Sequence, residues 1–223
     1  MEILERLAGC IEIGKADETT AYLPEHKGQK GASELTVEAL QMGFTPGDIL
    51  SKALIAGMNR IGEKFSTGKA FIPNLLISAK AMKAAMVHLE PYFKSGEAKY
   101  KGTFVIGTVQ GDMHDIGKNI VKMVLQGSGW NVIDLGTNAT ADKFIAAVEE
   151  NNAKMVGLSA LLTTTMLNMD KITSELKSRF NDLKVFIGGA PVSQDYCDKI
   201  GADGYFSDPH SLAKHLDLTG GNA

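Results

Sequence analysis

The side chains best suited to chemistry are gathered in one run, Asp112-Met113-His114-Asp115-Ile116-Gly117-Lys118-Asn119-Ile120-Val121. A carboxylate two residues before a histidine can accept a hydrogen bond from one ring nitrogen. That fixes the tautomer and leaves the second nitrogen as a metal ligand of raised basicity. Gly111 and Gly117 bound the histidine and permit a tight backbone and close approach of a large ligand. The spacing points to metal ligation by His114, with Asp112 as its oriented partner. The alternative is a surface histidine in a strand-to-helix loop, steadied by Asp112 and Asp115.

Two further runs carry side chains that can serve a ligand. In Met155-Val156-Gly157-Leu158-Ser159-Ala160-Leu161-Leu162-Thr163-Thr164-Thr165-Met166, hydroxyls cluster where a buried apolar stretch ends. They can bond a polar cofactor tail or the Asp-His pair, or they can cap the following helix. In Val185-Phe186-Ile187-Gly188-Gly189-Ala190-Pro191, paired glycines remove side chains where something must come close, or simply make a turn.

These runs must be positioned by regular elements. Short apolar stretches at 103–109, 130–135, 154–159, 183–188 and 204–206 predict strands. Helical patterns at 116–127, 140–151, 165–180, 192–200 and 209–216 alternate with them. Alternation of this kind predicts an α/β unit with a five-stranded parallel sheet of flavodoxin-like (Rossmann-type) order 2-1-3-4-5. The histidine loop then falls at the carboxyl end of strand 1, beside the switch point where ligands bind. Residues 1–94 show helical periods alone. Ile49, Leu50, Ala53, Leu54, Gly57, Met58, Ile61 and Phe65 form one stripe, opened by the N-cap signal Thr45-Pro46-Gly47-Asp48. Leu75, Leu76, Ala79, Met82, Met86 and Leu89 form another, expected to end before Pro91. Helices at about 2–13 and 33–42 complete a bundle of roughly four. The polar segment 95–101 reads as a linker, giving a helical domain at 1–94 and an α/β domain at 102–223.

Composition sets the class. The 223 residues are 44% hydrophobic and 22% charged, with net charge −3 and no basic block, which argues against nucleic acid as a partner. No stretch reaches the ~18 apolar residues of a membrane span, and the N-terminus has no signal-peptide pattern. Cys10 and Cys197 are far apart in no metal-like spacing, as expected of reduced thiols in a cytoplasmic protein.

The motifs Asp112-x-His114-x-x-Gly117, Ser159-x-Leu161 and Gly188-Gly189 stand in the order found in the B12-binding domain of methionine synthase and of the small corrinoid proteins of anaerobic methyltransferase systems. The chain resembles that family over most of its length. Its first half resembles the helical cap that precedes the B12 domain, through Gly57-Met58-Asn59-Arg60-Ile61-Gly62-Glu63-Lys64-Phe65 and Gly68-Lys69-Ala70-Phe71-Ile72-Pro73.

The resemblance implies a cobalamin or related corrinoid as cofactor, with His114 as lower axial ligand of cobalt in place of the cofactor's own base. The loop Gly111, Asp112, Met113, His114, Asp115, Ile116 and Gly117 would contact the corrinoid. Ser159, Leu161 and Thr163 would lie near the displaced nucleotide tail, and Gly188 and Gly189 would line its slot. Tyr205 to Pro209 match a loop near the buried base. Phe71, with Leu75, would shield the upper corrin face; the plain alternative for both is bundle core. Thr165 stands where methionine synthase has the serine of a His-Asp-Ser relay. Threonine keeps the hydroxyl but adds a methyl and stiffens χ1.

The implied function is a methyl carrier, cobalt cycling between cobalt(I) and methylcobalt(III). It would accept a methyl group from a substrate-specific methyltransferase and pass it to an acceptor methyltransferase in one-carbon metabolism, with a corrinoid-reactivating protein as a third partner. The chain shows no substrate barrel, so it is expected not to complete a reaction alone. The cap is expected to swing on the 94–102 linker. Two other readings share the histidine loop: a small subunit of a B12-dependent mutase, and a B12-dependent sensor. A mutase subunit generally lacks the cap, and a sensor usually carries a DNA-binding segment.

Overall fold

The computed structural model of the chain describes residues 2–20 and 24–219. It divides into two compact units, 1–100 with 127–129, and 101–126 with 130–223.

The first unit is helical. It contains α1 (Glu2–Ile13), α2 (Ala32–Gln41), α3 (Pro46–Ile49), a π-helical stretch (Leu50–Ile55), α4 (Ala56–Ser66) and α5 (Ile72–Lys94). Thr45 caps α3 as its sequence predicts, its Oγ1 accepting from the Asp48 N–H at 3.1 Å. The stripe from Ile49 to Ile61 turns inward against Leu7, Ile11, Leu35, Met82 and Leu89. Gly57 marks the closest approach of α4 to α1: a Cβ there would stand 2.5 Å from the Ala8 carbonyl oxygen. Arg60 and Lys64 close the outer edge of that contact on Glu5 and Glu12, at 2.8 and 2.6 Å.

Helix α5 runs one turn past Pro91, where the stripe was expected to stop. Proline removes only one intrahelical bond, that to the Val87 carbonyl. Val87 is exposed, so water can satisfy the freed oxygen. Phe93 then holds the last turn by packing on the core and stacking on Tyr100, with ring centroids 4.4 Å apart.

The second unit alternates strand and helix: β1 (Thr103–Thr108), α6 (Ile116–Gly127), β2 (Asn131–Asp134), α7 (Ala141–Asn151), β3 (Met155–Ser159), α8 (Thr163–Arg179), β4 (Lys184–Gly188), α9 (Gln194–Ile200), β5 (Gly204–Tyr205) and α10 (Pro209–Thr219). The sheet order is β2-β1-β3-β4-β5, every pairing parallel, as the alternation predicts. Strand side chains alternate between two cores. Val105, Val156, Leu158, Val185 and Ile187 pack with Phe144, Met169 and Leu176 from α7 and α8. Phe104, Ile106, Met155 and Phe186 pack with Leu125 of α6 and Leu216 of α10. The register aligns Thr108, Ser159 and Gly188 in one row, so the three chemistry-bearing runs leave the sheet side by side.

The start of α6 is tied down from beneath. Lys118 is buried and its Nζ donates to Asp134 Oδ1 at 2.6 Å, while Lys122 reaches Oδ2 at 3.0 Å. Burial disfavours the Asp134 charge, but bonds from Lys118, the Gly136 N–H and Lys122 outweigh it and hold the carboxyl below its usual range. Asp134→Asn leaves the buried Lys118 cation short of its counter-charge. We expect a loss of about 2 kcal/mol in unfolding free energy, read from urea melts at neutral pH.

Candidate functional site

The loop between β1 and α6 carries the pair predicted from spacing. The Asp112 carboxylate is wholly buried, whereas the His114 side chain is half exposed. His114 Nδ1 lies 2.8 Å from Asp112 Oδ1, and the same oxygen accepts the His114 backbone N–H at 3.0 Å. An ionised Asp112 keeps the ring proton on Nδ1, which leaves the Nε2 lone pair as the free ligand atom.

The other carboxylate oxygen faces β3 and α8. Oδ2 accepts the Leu161 N–H at 2.8 Å, the Leu162 N–H at 3.4 Å and the Thr165 hydroxyl at 2.6 Å. The residue at the N-cap of α8 is Leu162, whose side chain offers no cap. Asp112, from another loop, accepts the two N–H groups just before the first helical residue, and its negative charge suits the helix N-terminus. Hence the hydroxyl-rich run does not cap its own helix. Burial works against the Asp112 charge. The bonds from Thr165, the His114 and Leu161 N–H groups and the His114 ring prevail, and they hold the carboxyl far below the usual carboxylate range.

Several exposed side chains near His114 are apolar, although Asp115 beside it is charged and exposed. Met113, Ile116, Leu161 and Leu162 present a rim suited to the face of a large ring. A Cβ on Gly117 would meet nothing within 4 Å, so the glycine leaves open space on this side. Gly111 has φ +82°, a conformation that favours glycine.

The other predicted residues are spread more widely. Ser159 ends β3 and Thr163 opens α8, both at the carboxyl edge of the sheet. Gly188 leaves its Cβ position free except for the Phe206 carbonyl oxygen at 3.6 Å. Gly189 answers a demand of the chain itself: its φ is +134°, and a Cβ would fall 1.8 Å from the Ala160 carbonyl oxygen. Asp115 is exposed and bonds Asn119 Nδ2 at 2.9 Å. Tyr205 lies in β5, three strand spacings from β1 and so roughly 14 Å across the sheet. Pro209 begins α10. In the helical unit the alternatives separate: Leu75 is core, whereas Phe71 is 67% exposed at the start of α5, with exposed Ile72 and Leu76 nearby in sequence.

Three residues outside the predicted set hold the loop. Thr108 Oγ1 donates to the His114 carbonyl at 2.9 Å. Asn138, at φ 53°, gives its N–H to the Asp112 carbonyl at 3.0 Å and accepts the Gly111 N–H on Oδ1 at 2.8 Å. Asn168 Nδ2 donates to the Gln110 carbonyl at 2.7 Å. Only Asn138 left a sequence signal, an asparagine in a glycine-containing turn after a strand.

No described helix is long and apolar enough to cross a membrane. Among the described residues, no group of three His, Cys, Asp or Glu side chains is placed to hold a metal ion.

Residues 102–212 match the family model of the B12 binding domain, and residues 29–90 match a second model of the same description. Dimethylamine corrinoid protein 1 of Methanosarcina acetivorans is 40% identical over 221 residues, 97% of this chain and 97% of that protein. The trimethylamine corrinoid protein of Methanosarcina barkeri is 41% identical over 178 residues, 78% of this chain and 82% of that protein. Among solved structures, the methanol:cobalamin methyltransferase complex MtaBC from Methanosarcina barkeri aligns with a TM-score of 0.82 at 29% identity. The match covers all of this chain and 81% of that one. A cobalamin-binding protein from Desulfitobacterium hafniense aligns at 0.73 with 30% identity, covering 96% and 97%. A B12 binding domain model over residues 102–212, and a corrinoid protein 40% identical over 97% of both chains, show that the chain belongs to the B12-binding corrinoid protein family.

Proposed function

We propose that the chain is a methyl carrier between a substrate:corrinoid methyltransferase and an acceptor methyltransferase. The observation that carries this is the 2.8 Å contact of His114 Nδ1 with a buried, fully bonded Asp112, which presents Nε2 outward as a single imidazole ligand. The residues suit a corrinoid: one nitrogen ligand, an apolar rim, and open space at Gly117 where a side chain would intrude. The corrinoid, when bound, supplies the cobalt centre that accepts and releases the methyl group.

The chain's own part is to bind, orient and hold a proton. Asp112 keeps Nδ1 protonated and the ring in one orientation. Thr165 is proposed as the third member of this pair, and its hydroxyl proton points at Oδ2. Met113, Ile116, Leu161, Ser159, Thr163 and Gly188 are proposed cofactor contacts at the edge of the sheet, with Tyr205 and Pro209 further along it.

We assign residues 1–94 as the cap, 95–101 as the linker and 102–223 as the cofactor domain. Phe71 is assigned to the cap surface that shields the cofactor, a role its exposure allows. A corrinoid-reactivating protein is a further proposed partner, and the setting is cytoplasmic one-carbon metabolism. The relatives named for dimethylamine and trimethylamine make methylamines the first donors to test.

The test is reconstitution with cobalamin, followed by a methyl-transfer assay against methylamines, methanol and aryl methyl ethers, each with its methyltransferase. Transfer from one donor class supports the carrier. Stoichiometric cofactor binding with no transfer from any donor, together with purification carrying an adenosyl ligand, would overturn it in favour of a mutase subunit.

Thr165 gives a second expected result. Thr165→Ser should leave transfer within about threefold of wild type. Thr165→Val removes a buried bond to a carboxylate and should slow transfer by about tenfold or more. Unchanged rates in the valine variant would make Thr165 a spectator.

A further inference from the structure

We infer that Thr108 is a positioning residue for His114: its hydroxyl, at the end of β1, grips the histidine carbonyl and sets the pose of the imidazole. This rests on His114 being the cobalt ligand. His114 belongs to no helix or strand. Its N–H and its ring Nδ1 both go to Asp112 Oδ1, at 3.0 and 2.8 Å, and its carbonyl accepts from Thr108 Oγ1 at 2.9 Å. Two side chains therefore hold the backbone polar groups and the inner ring nitrogen of this residue. Asp112 alone leaves the peptide plane after His114 free to rotate. Thr108 removes that freedom and also fixes the chain two residues before α6 starts.

Thr108 is itself well anchored. It is fully buried, its N–H donates to the Gly136 carbonyl at 2.9 Å, and its carbonyl accepts from Ala139 at 2.9 Å. Its β-branched side chain is stiff at χ1. A buried hydroxyl must place its proton, and the His114 carbonyl takes this one. Asn138 braces the preceding residues through the Gly111 N–H and the Asp112 carbonyl. An axial ligand works only if held to within roughly 0.5 Å and 10–20° of its productive pose. A grip on the backbone from both sides is what supplies such precision here.

Thr108→Val keeps the shape and deletes only the hydroxyl, while Thr108→Ser keeps the hydroxyl. Both are made in the full chain. In cofactor-free protein, amide exchange at His114 should quicken about tenfold in the valine variant, the equivalent of one hydrogen bond, and return near wild type in the serine variant. After loading with cobalamin and reduction to cobalt(II), the ratio of nitrogen-coupled to uncoupled electron paramagnetic resonance signal should fall about tenfold in valine and recover in serine. A valine variant with wild-type exchange and wild-type nitrogen coupling would overturn the inference. So would a serine variant as impaired as valine, which would assign the effect to packing. If the wild-type protein shows no nitrogen coupling, the ligand reading of His114 fails, and the grip on the loop is judged by the exchange rates alone.

Discussion

Asp112→Asn is expected to lower the unfolding free energy by about 4 kcal/mol, the largest loss of any single change considered. The carboxylate accepts from His114 at two atoms, from Leu161 and from Thr165, all within 3.0 Å, and it is wholly buried. Bonds to a charged acceptor contribute roughly 1.5–3 kcal/mol each. An asparagine must turn its NH2 toward one of the two sides. On the His114 side, two donors lose their acceptor. On the α8 side, the Leu161 N–H is orphaned and the negative charge at the helix N-terminus is lost, although Thr165 can still donate to the Leu162 carbonyl at 3.0 Å. The pH dependence separates this from a plain packing defect. The folded carboxyl sits below its unfolded value, because its hydrogen bonds outweigh its burial. Its stabilisation is therefore complete above the unfolded pKa of about 3.9 and drains as pH falls below that. The asparagine variant lacks this slope, so the two stability curves should converge as urea melts are taken from neutral pH down to about pH 2. Parallel curves across that range would show that the charge contributes nothing.

The sheet order was legible because its cause is local. Each strand is a short apolar run, each connection is long enough only for a helix, and right-handed crossovers leave few arrangements. The histidine loop was legible for the same reason, since Asp112 and His114 are two residues apart and meet through the turn between them. What lay outside the sequence depends on contacts across the sheet. Thr165 and Asp112 are 53 positions apart. Spacing alone left its hydroxyl open between a cap and a partner for the carboxylate, and the resemblance to methionine synthase was needed to single it out. Thr108 and Asn168 carried no signal, because a hydroxyl or amide that bonds a distant carbonyl looks like any other in the chain.

Two residues show how the same pattern can serve different ends. Paired glycines at 188 and 189 were expected to make room for a cofactor tail. Gly189 makes room for the Ala160 carbonyl, a close approach within the chain itself. Phe71 and Leu75 were paired in expectation, yet the helix turns Leu75 into the core and leaves Phe71 in solvent. Phe71 precedes the stripe that begins at Leu75, at the N-cap of α5, where the buried face has not yet started.

His114→Ala should do little to the empty protein and most of its damage to the loaded one. The imidazole is half exposed, and Asp112 keeps its bonds to Thr165 and Leu161, so the cost to folding is expected to stay at about 1.5 kcal/mol, the low end for one bond to a charged acceptor. Loss of an outer partner of a metal ligand typically costs 10- to 100-fold in affinity or activity. Loss of the ligand atom itself should exceed that, so methyl transfer is expected to fall by more than about 100-fold. In the cobalt(II) state the nitrogen splitting should vanish from the electron paramagnetic resonance spectrum, and the visible spectrum should move toward a water-ligated form. Imidazole added to the variant should restore part of both, because the cavity left beside Asp112 keeps its acceptor for a ring N–H. A variant that retains nitrogen splitting without added imidazole would place the ligand elsewhere. Among the described residues no other histidine shares this loop, so such a result would also remove the reason for Asp112 to be buried where it is.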